Sequence, residues 1–362
     1  MKIKILQIIP CFARGGAETM ALNYAKFLDK NKFEVITASC VEGGELEKDF
    51  ATAGAPVWVG SRRKMFGRLG VWYALAKFTK EQRPDILHTH LFGADLVAWI
   101  LKKVFRIKFY WVVTVHNRER GFGWWRMHVW KMILRSADKI IAVSAATGEY
   151  VHEYLDVSAH KMTVINNGID LSPWLNVPAV SESSVTLRLA VVGRLTKQKG
   201  QEFLWRALAN LKHPWQLGVF GTGEDEKKLN QLAQKLNIAD KIIWHGLIVD
   251  WSRELADVNV VVAPALWEGL SLVVMESMTA GKAVVASLEA GQGLIENNIT
   301  GLLVRPGSVG DLFGALESLS VDHKKIKLLG NNARAYAKKY FDIKQNTLAV
   351  EKVYWQILSG QK

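Results

Sequence analysis

The chain has 362 residues, of which 49% are hydrophobic and 22% charged, and it carries a formal net charge of +13. At about 150 residues per domain this length favours two domains, each able to bury a sizeable core, and the composition excludes disorder, collagen-like repeats and coiled coil. Two cysteines, Cys11 and Cys40, exclude a disulfide framework and a four-cysteine zinc site, and point to a reducing compartment.

Residues 3–9 form the first expected strand. This apolar stretch meets Pro10 and a polar glycine loop too soon for a signal peptide, and no run approaches the roughly 20 apolar residues that cross a bilayer. A cytoplasmic protein is the expectation. Further strands are expected at 34–40, 56–60, 86–90, 109–116, 139–144 and 162–166, with amphipathic helices at 17–28, 69–80 and 91–104. Near-continuous apolar strands separated by helices imply a parallel sheet covered on both faces. Residues 62–139 also hold 17 basic and 5 acidic side chains, with six of the 14 tryptophans: Trp72, Trp99, Trp111, Trp124, Trp125 and Trp130. Cations among tryptophans suit an anionic membrane surface, whereas a solvated charged face over core aromatics has the same composition. Without a zinc finger, an RNA-binding sheet signature or a basic zipper, nucleic acid is not an expected partner.

After Gly168 the pattern breaks at Leu171-Ser172-Pro173, and the polar stretch 173–186 is taken as a linker. It restarts with strands at 187–192, 216–220, 242–244, 258–263, 283–286 and 302–304, then helices at 311–319, 324–339 and 346–357. The two halves begin alike, each with a buried strand running into a glycine turn and a helix. The expectation is two facing, doubly wound α/β domains, 1–172 and 187–343, with 344–362 as a helix packing back on the first. Ligands then belong in the interdomain cleft, at the carboxyl ends of the strands.

Glycines between a strand and a helix let backbone N–H groups approach an anion, and the helix dipole adds attraction. Arg14-Gly15-Gly16-Ala17-Glu18 has that form, although such a turn needs glycine for backbone reasons alone. Gly193-Arg194-Leu195-Thr196-Lys197-Gln198-Lys199-Gly200 adds a guanidinium and an ammonium suited to clamping a diphosphate, without the spacing of a nucleotide P-loop. Gly221-Thr222-Gly223 lacks the third glycine of a dinucleotide fingerprint, and is taken as a tight turn before an acidic helix start. The sharpest pattern is Glu268-Gly269-Leu270-Ser271-Leu272-Val273-Val274-Met275-Glu276. It sets one carboxylate in a loop after a strand and a second in the early turns of a helix beginning near Ser271. Carboxylates accept from hydroxyl pairs, of a sugar or a ribose, and the N–H groups at the helix start suit a diphosphate between them. His116 ends an apolar strand, and His88 and His90, which end the preceding one, are expected to line the cleft.

The Glu268-x7-Glu276 spacing, with Gly-Leu-Ser after the first glutamate, resembles the motif of retaining glycosyltransferases of the GT-B fold. Over roughly residues 3–357 the chain looks like glycosyltransferase family 4 (glycosyl transferases group 1). Gly193-Arg194-Leu195 with Lys199-Gly200, the glycine loop at 14–18, and Asn166-Asn167-Gly168-Ile169-Asp170 match that family in order, while 60–75 matches nothing. The resemblance implies two Rossmann-like domains and a donor diphosphate on Arg194 and Lys199, with Gly15 and Gly16 closing from the opposite domain. It implies backbone donors at Gly269, Leu270, Ser271 and Leu272, the ribose on Glu276, the transferred sugar on Glu268, and His116 near the reacting carbon. It also implies retention of anomeric configuration.

No Asp-x-Asp occurs, so no metal is expected, and Arg194, Lys199 and two helix N-termini are left to neutralise the leaving diphosphate. No cofactor is expected beyond the nucleotide sugar substrate, with UDP favoured by family frequency. The expected acceptor is a lipid-linked or cell-envelope glycan, of lipopolysaccharide or capsule. Lys102, Lys103, Arg106, Trp124, Trp125, Arg126 and the loop Gly121-Phe122-Gly123 are expected to hold the enzyme at the inner face of the membrane. A sugar-nucleotide epimerase of the same fold, which needs no acceptor, or a non-catalytic membrane-associated protein with a donor pocket, would use the same residues.

Overall fold

The computed structural model describes residues 2–60, 67–119, 123–178, 186–248 and 250–360. The chain divides into one unit of residues 1–168 and 343–362 and a second of 169–342.

The strands of the first unit are β1 (Ile3–Cys11), β2 (Phe33–Glu42), β3 (Val57–Val59), β4 (Ile86–His90), β5 (Tyr110–Val115), β6 (Lys139–Ala142) and β7 (Met162–Val164). They form one parallel sheet in the order β3-β2-β1-β4-β5-β6-β7. Ile5, Leu6, Ile8 and Ile9 are consecutive or nearly so and all fully buried, which a strand tolerates only when both faces of its sheet are covered. The covering helices are α1 (Gly16–Phe27), α2 (Glu47–Thr52), α3 (Gly67–Gln82), α4 (Leu91–Lys103), α5 (Trp124–Arg135) and α6 (Ala145–Glu149). On α4, Ala94, Val97, Ala98 and Leu101 repeat at helical spacing and are the buried face. β4 runs directly into α4 because Leu91 takes a left-handed φ of 71°, a conformation that costs a side-chain-bearing residue about 1–2 kcal/mol.

The second unit repeats the plan. Its helices are α7 (Ser172–Leu175), α8 (Gln201–Leu208), α9 (Glu226–Lys235), α10 (Leu272–Thr279), α11 (Leu288–Gly291), α12 (Val309–Val321) and α13 (His323–Tyr340). Its strands are β8 (Leu187–Val192), β9 (Trp215–Phe220), β10 (Ile242–Gly246), β11 (Val260–Ala263), β12 (Ala283–Ser287) and β13 (Leu302–Val304), all parallel, in the order β10-β9-β8-β11-β12-β13.

Two expectations change at the boundary. The units part at Gly168, four residues before the expected limit. The segment expected to start a linker is instead folded, because Pro173 serves at the first turn of α7 and Trp174 packs on Trp251 with ring centroids 4.9 Å apart. Residues 179–185 of the expected linker lie outside the described residues.

The last helix, α14 (Ile343–Leu358), belongs to the first unit and packs on α1. Gly168 makes the close approach possible, since a Cβ there would stand 2.6 Å from Ile343 Cα. Asn346 Nδ2 donates to the Asn166 carbonyl at 2.6 Å, and Glu351 accepts from the Asp29 N–H at 3.0 Å. Deeper in, the Tyr354 hydroxyl meets His88 Nδ1 at 2.7 Å, with both side chains fully buried. Tyr354→Phe leaves a buried imidazole nitrogen without that partner, so a stability loss of about 1–3 kcal/mol is expected. Hydrogen exchange should show faster opening of α14, and unchanged exchange there would mean that the contact does not anchor the helix.

Candidate active site

Each sheet reverses its strand order once, between β1 and β4 in the first unit and between β8 and β11 in the second. The loops that follow such a pair leave toward opposite faces, and the crevice between them at the carboxyl edge is where doubly wound sheets bind ligands. In the second unit those loops are 193–200, which leads to α8, and 264–271, which leads to α10.

The two loops are tied to one another by backbone. The Leu266 N–H donates to the Gln198 carbonyl at 2.7 Å, and Gln198 Nε2 donates to the Trp267 carbonyl at 3.0 Å. Gly200 adopts a left-handed φ of 67°, and a Cβ there would lie 2.3 Å from the Pro264 oxygen, so no other residue fits without displacing one loop. From behind, the Leu195 N–H donates to the Thr222 carbonyl at 3.0 Å, so Gly221-Thr222-Gly223 acts as a brace for this loop.

These ties bring two of the expected donor residues into contact. Lys199 Nζ donates to Glu268 Oε2 at 2.6 Å, with the side chains 22% and 15% exposed. Arg194 stands exposed on the same loop, and its carbonyl accepts from Gln201 Nε2 at 3.0 Å. A small cavity of about 10 Å³, lined by Lys199, Gln201, Glu268, Ser271 and Val273 among others, lies at the carboxyl ends of β8 and β11. Gly269, Leu270 and Ser271 are buried in the loop before α10, and Ser271 is the N-cap of that helix. The amides of Leu272 and Val273 open that helix and have no intrahelical acceptor. Glu276 follows one turn later, and its Oε2 accepts from Trp251 Nε1 at 3.1 Å.

In the first unit Gly15 caps α1 in an extended conformation and Gly16 is exposed at the helix start. At the neighbouring strand ends, three imidazoles lie side by side with their rings tilted by 33–35°. His90 Nδ1 lies 2.8 Å from His116 Nε2, and the His88 and His90 rings are 4.5 Å apart. His116 is the outermost and is partly exposed. The expectation that His88 and His90 line a cleft is overturned. Both are fully buried, with His88 held between Tyr354 and Thr114 Oγ1, 2.7 Å from each. A strand end in the middle of a covered sheet is interior, and only the residue beyond it reaches the surface. Burial keeps all three rings neutral, lowering the pKa of His88 and of His116 to about 3 and that of His90 well below its ordinary value.

The expected membrane set divides into two places. Trp124 and Trp125 start α5 at the carboxyl edge and are 68% and 72% exposed, and Arg126 lies over the Phe92 ring at 4.6 Å, at the start of α4. Lys102 and Lys103 form the last turn of α4 and Arg106 lies just past it, at the other end of this helix layer, about 18 Å away along the 12 residues of α5. Lys102 is spent on Asp138, 2.6 Å away, beside the start of β6. Trp111 and Trp130 are core residues, donating to Thr89 Oγ1 at 3.0 Å and Asp95 Oδ2 at 2.9 Å. Gly121 and Phe122 lie outside the described residues. A separate groove, bordered by Lys2, Lys4, Glu34, Lys77 and Arg83, opens at the amino edge of the first sheet, opposite the edge where the histidines lie.

The family described as Glycosyltransferase Family 4 matches residues 14–173, and the family described as Glycosyl transferases group 1 matches residues 182–336. The chain is a family 4, group 1 glycosyltransferase of the GT-B fold. It is 29% identical to the lipopolysaccharide core biosynthesis mannosyltransferase LpsB of Rhizobium meliloti, over 73% of this chain and 77% of that one. It is 23% identical to the Escherichia coli UDP-Gal:alpha-D-GlcNAc-diphosphoundecaprenol alpha-1,3-galactosyltransferase, over 98% of this chain and 96% of that one. The crystal structure of Anabaena HepE in complex with UDP and glucose shares the fold, with a TM-score of 0.86 at 21% identity, covering 98% of this chain and 100% of that one.

Sequence reasoning missed two residues of this candidate site. Trp251 lies 25 residues before Glu276 and carries no motif, and Gln198 was assigned no role within the 193–200 loop. Neither has a local signal, because each acts through a contact made only by the fold.

The neutral histidines make the first unit sensitive to acid. Unfolded, each protonates near its ordinary value of 6.5, whereas in the fold His88 and His116 wait until about 3. Between those values the unfolded chain binds more protons, so stability is full above about 6.5 and falls with pH below it, by roughly 1.4 kcal/mol per pH unit for each histidine. Asp95, whose carboxyl burial raises to about 7, works in the opposite sense and offsets part of this loss. The melting temperature is therefore expected to drop between pH 7.5 and 5, and His88→Gln to reduce the drop. A wild-type melting temperature that is flat over this range would contradict the assignment.

Proposed function

We propose that this glycosyltransferase is a retaining, metal-independent hexosyltransferase. It moves a hexose from a UDP-sugar to a lipid-linked or cell-envelope glycan at the cytoplasmic face of the membrane. The observation that carries the donor half is the Lys199–Glu268 contact beside the start of α10, with Glu276 one turn on. Lys199, Arg194 and the first amides of α10 supply fixed positive charge for the departing diphosphate. Glu276 accepts from the ribose and Glu268 from the sugar, while His116 keeps the place at the reacting carbon that the family resemblance implies. In the reaction the bond from the anomeric carbon to the diphosphate oxygen breaks and a bond to the acceptor oxygen forms on the same face. The acceptor proton passes to the leaving phosphate oxygen, so no nucleophile of the chain is required.

UDP as the donor base is supported by the UDP bound in HepE and by the donor named for the galactosyltransferase relative. The acceptor class is supported by the lipopolysaccharide core and diphosphoundecaprenol named for the relatives. Incubation with a panel of nucleotide sugars should release nucleotide slowly from one donor, unaffected by EDTA, and faster with acceptor. Release abolished by EDTA would remove metal independence, and a rearranged sugar nucleotide without acceptor would favour the epimerase.

Membrane attachment is assigned to Trp124, Trp125 and Arg126. Among the described residues no helix is long and apolar enough to cross a membrane. Liposomes with anionic lipid should bind the enzyme, less so at high salt. The double change Trp124→Ala, Trp125→Ala should release it, while Lys102→Met, which breaks an internal ion pair, should not. Release by Lys102→Met alone would move the contact to the other end of the helices.

A further inference from the structure

We propose that the Lys199–Glu268 ion pair makes the donor site discriminate between the intact nucleotide sugar and the nucleoside diphosphate left after transfer. This inference rests on the donor-site reading above.

The pair closes at 2.6 Å, and its loops are held by the Leu266–Gln198 and Gln198–Trp267 bonds and by the contact of Gly200 with Pro264. Glu268 therefore cannot swing away with its loop when a ligand enters. A diphosphate arriving at this pocket meets an ammonium already engaged by a carboxylate, together with a fixed negative charge. Both oppose an anion, and in a partly buried site the opposition is weakly screened.

A nucleotide sugar brings hydroxyl donors that replace the ammonium on Glu268, so Lys199 is released to the phosphates and the carboxylate stays hydrogen-bonded. A bare nucleoside diphosphate brings no such donor and carries more negative charge. The same exchange thus favours the substrate and penalises the product. Once the sugar has left with the acceptor, Lys199 returns to Glu268 and the nucleotide is expelled.

Titration calorimetry with UDP and with UDP-glucose, on the wild type and on Glu268→Gln, tests this directly. Glutamine keeps the shape and the carbonyl acceptor but removes the charge. The expected result is UDP affinity raised by about tenfold, the scale of one charge-assisted hydrogen bond, and a UDP-to-UDP-glucose preference shifted toward UDP. In a Lys199→Met background the same change should no longer tighten UDP. Glu268→Ala, read in the same way, covers a failure of the glutamine variant to fold. Unchanged or weaker UDP binding in Glu268→Gln would overturn the proposal, as would equal tightening without Lys199. If the wild type binds none of the UDP, ADP or GDP ligands or their hexose conjugates, the donor-site reading itself fails, and this proposal with it.

Discussion

A parallel sheet whose strand order reverses sends the helices after two neighbouring strands to opposite faces, and that constraint decides where the chemistry of this protein sits. The reversal falls between β8 and β11 in one unit and between β1 and β4 in the other. Loops 193–200 and 264–271 become neighbours only because of it, although some 70 residues separate them in the chain. Lys199 and Glu268 meet across that gap, and the pocket over the strand ends is bounded by both loops.

Rigidity around this meeting point comes from backbone more than from side chains. The loops are laced by amide–carbonyl bonds, the left-handed Gly200 admits the Pro264 carbonyl, and the glycine turn at 221–223 braces the first loop from behind. These ties fix the two loops that carry Lys199 and Glu268 against one another, so the partners available to each side chain are set by the loops. The first unit meets a different demand. Its strand ends bury polar rings, which are accommodated by hydrogen bonds to Tyr354 and Thr114 and by remaining uncharged. The hydroxyl that satisfies His88 comes from α14, so the chain end that returns to this unit also completes its interior.

Much of the architecture was legible in local pattern. Apolar runs such as 3–9 and 187–192 locate strands because a doubly covered parallel strand has no polar face to interrupt it. The Glu268-x7-Glu276 spacing placed both carboxylates correctly about the start of α10, since a helix turns at a fixed pitch. Composition left position open. Trp111 and Trp130 belong to the core and Lys102 to an ion pair, though in the sequence they were indistinguishable from Trp124, Trp125 and Lys103. His88 and His90 were expected to line the cleft because they end a strand, but the strand is central and Tyr354 of α14 covers His88.

By itself the sequence determined the fold class, the two repeated α/β halves, the family, and the residue types available for an anionic sugar donor. These follow from hydrophobic period, glycine placement and motif spacing, which are properties of neighbours along the chain. The tertiary structure alone decided that Lys199 pairs with Glu268, that Trp251 donates to Glu276, that His116 is the partly exposed member of a run of three neutral imidazoles, and that Trp124 and Lys102 lie at opposite ends of one helix layer. Each of these depends on how far apart in space residues distant in sequence come to lie. Strand order and helix docking set that distance, and neither is encoded in any single stretch of the chain.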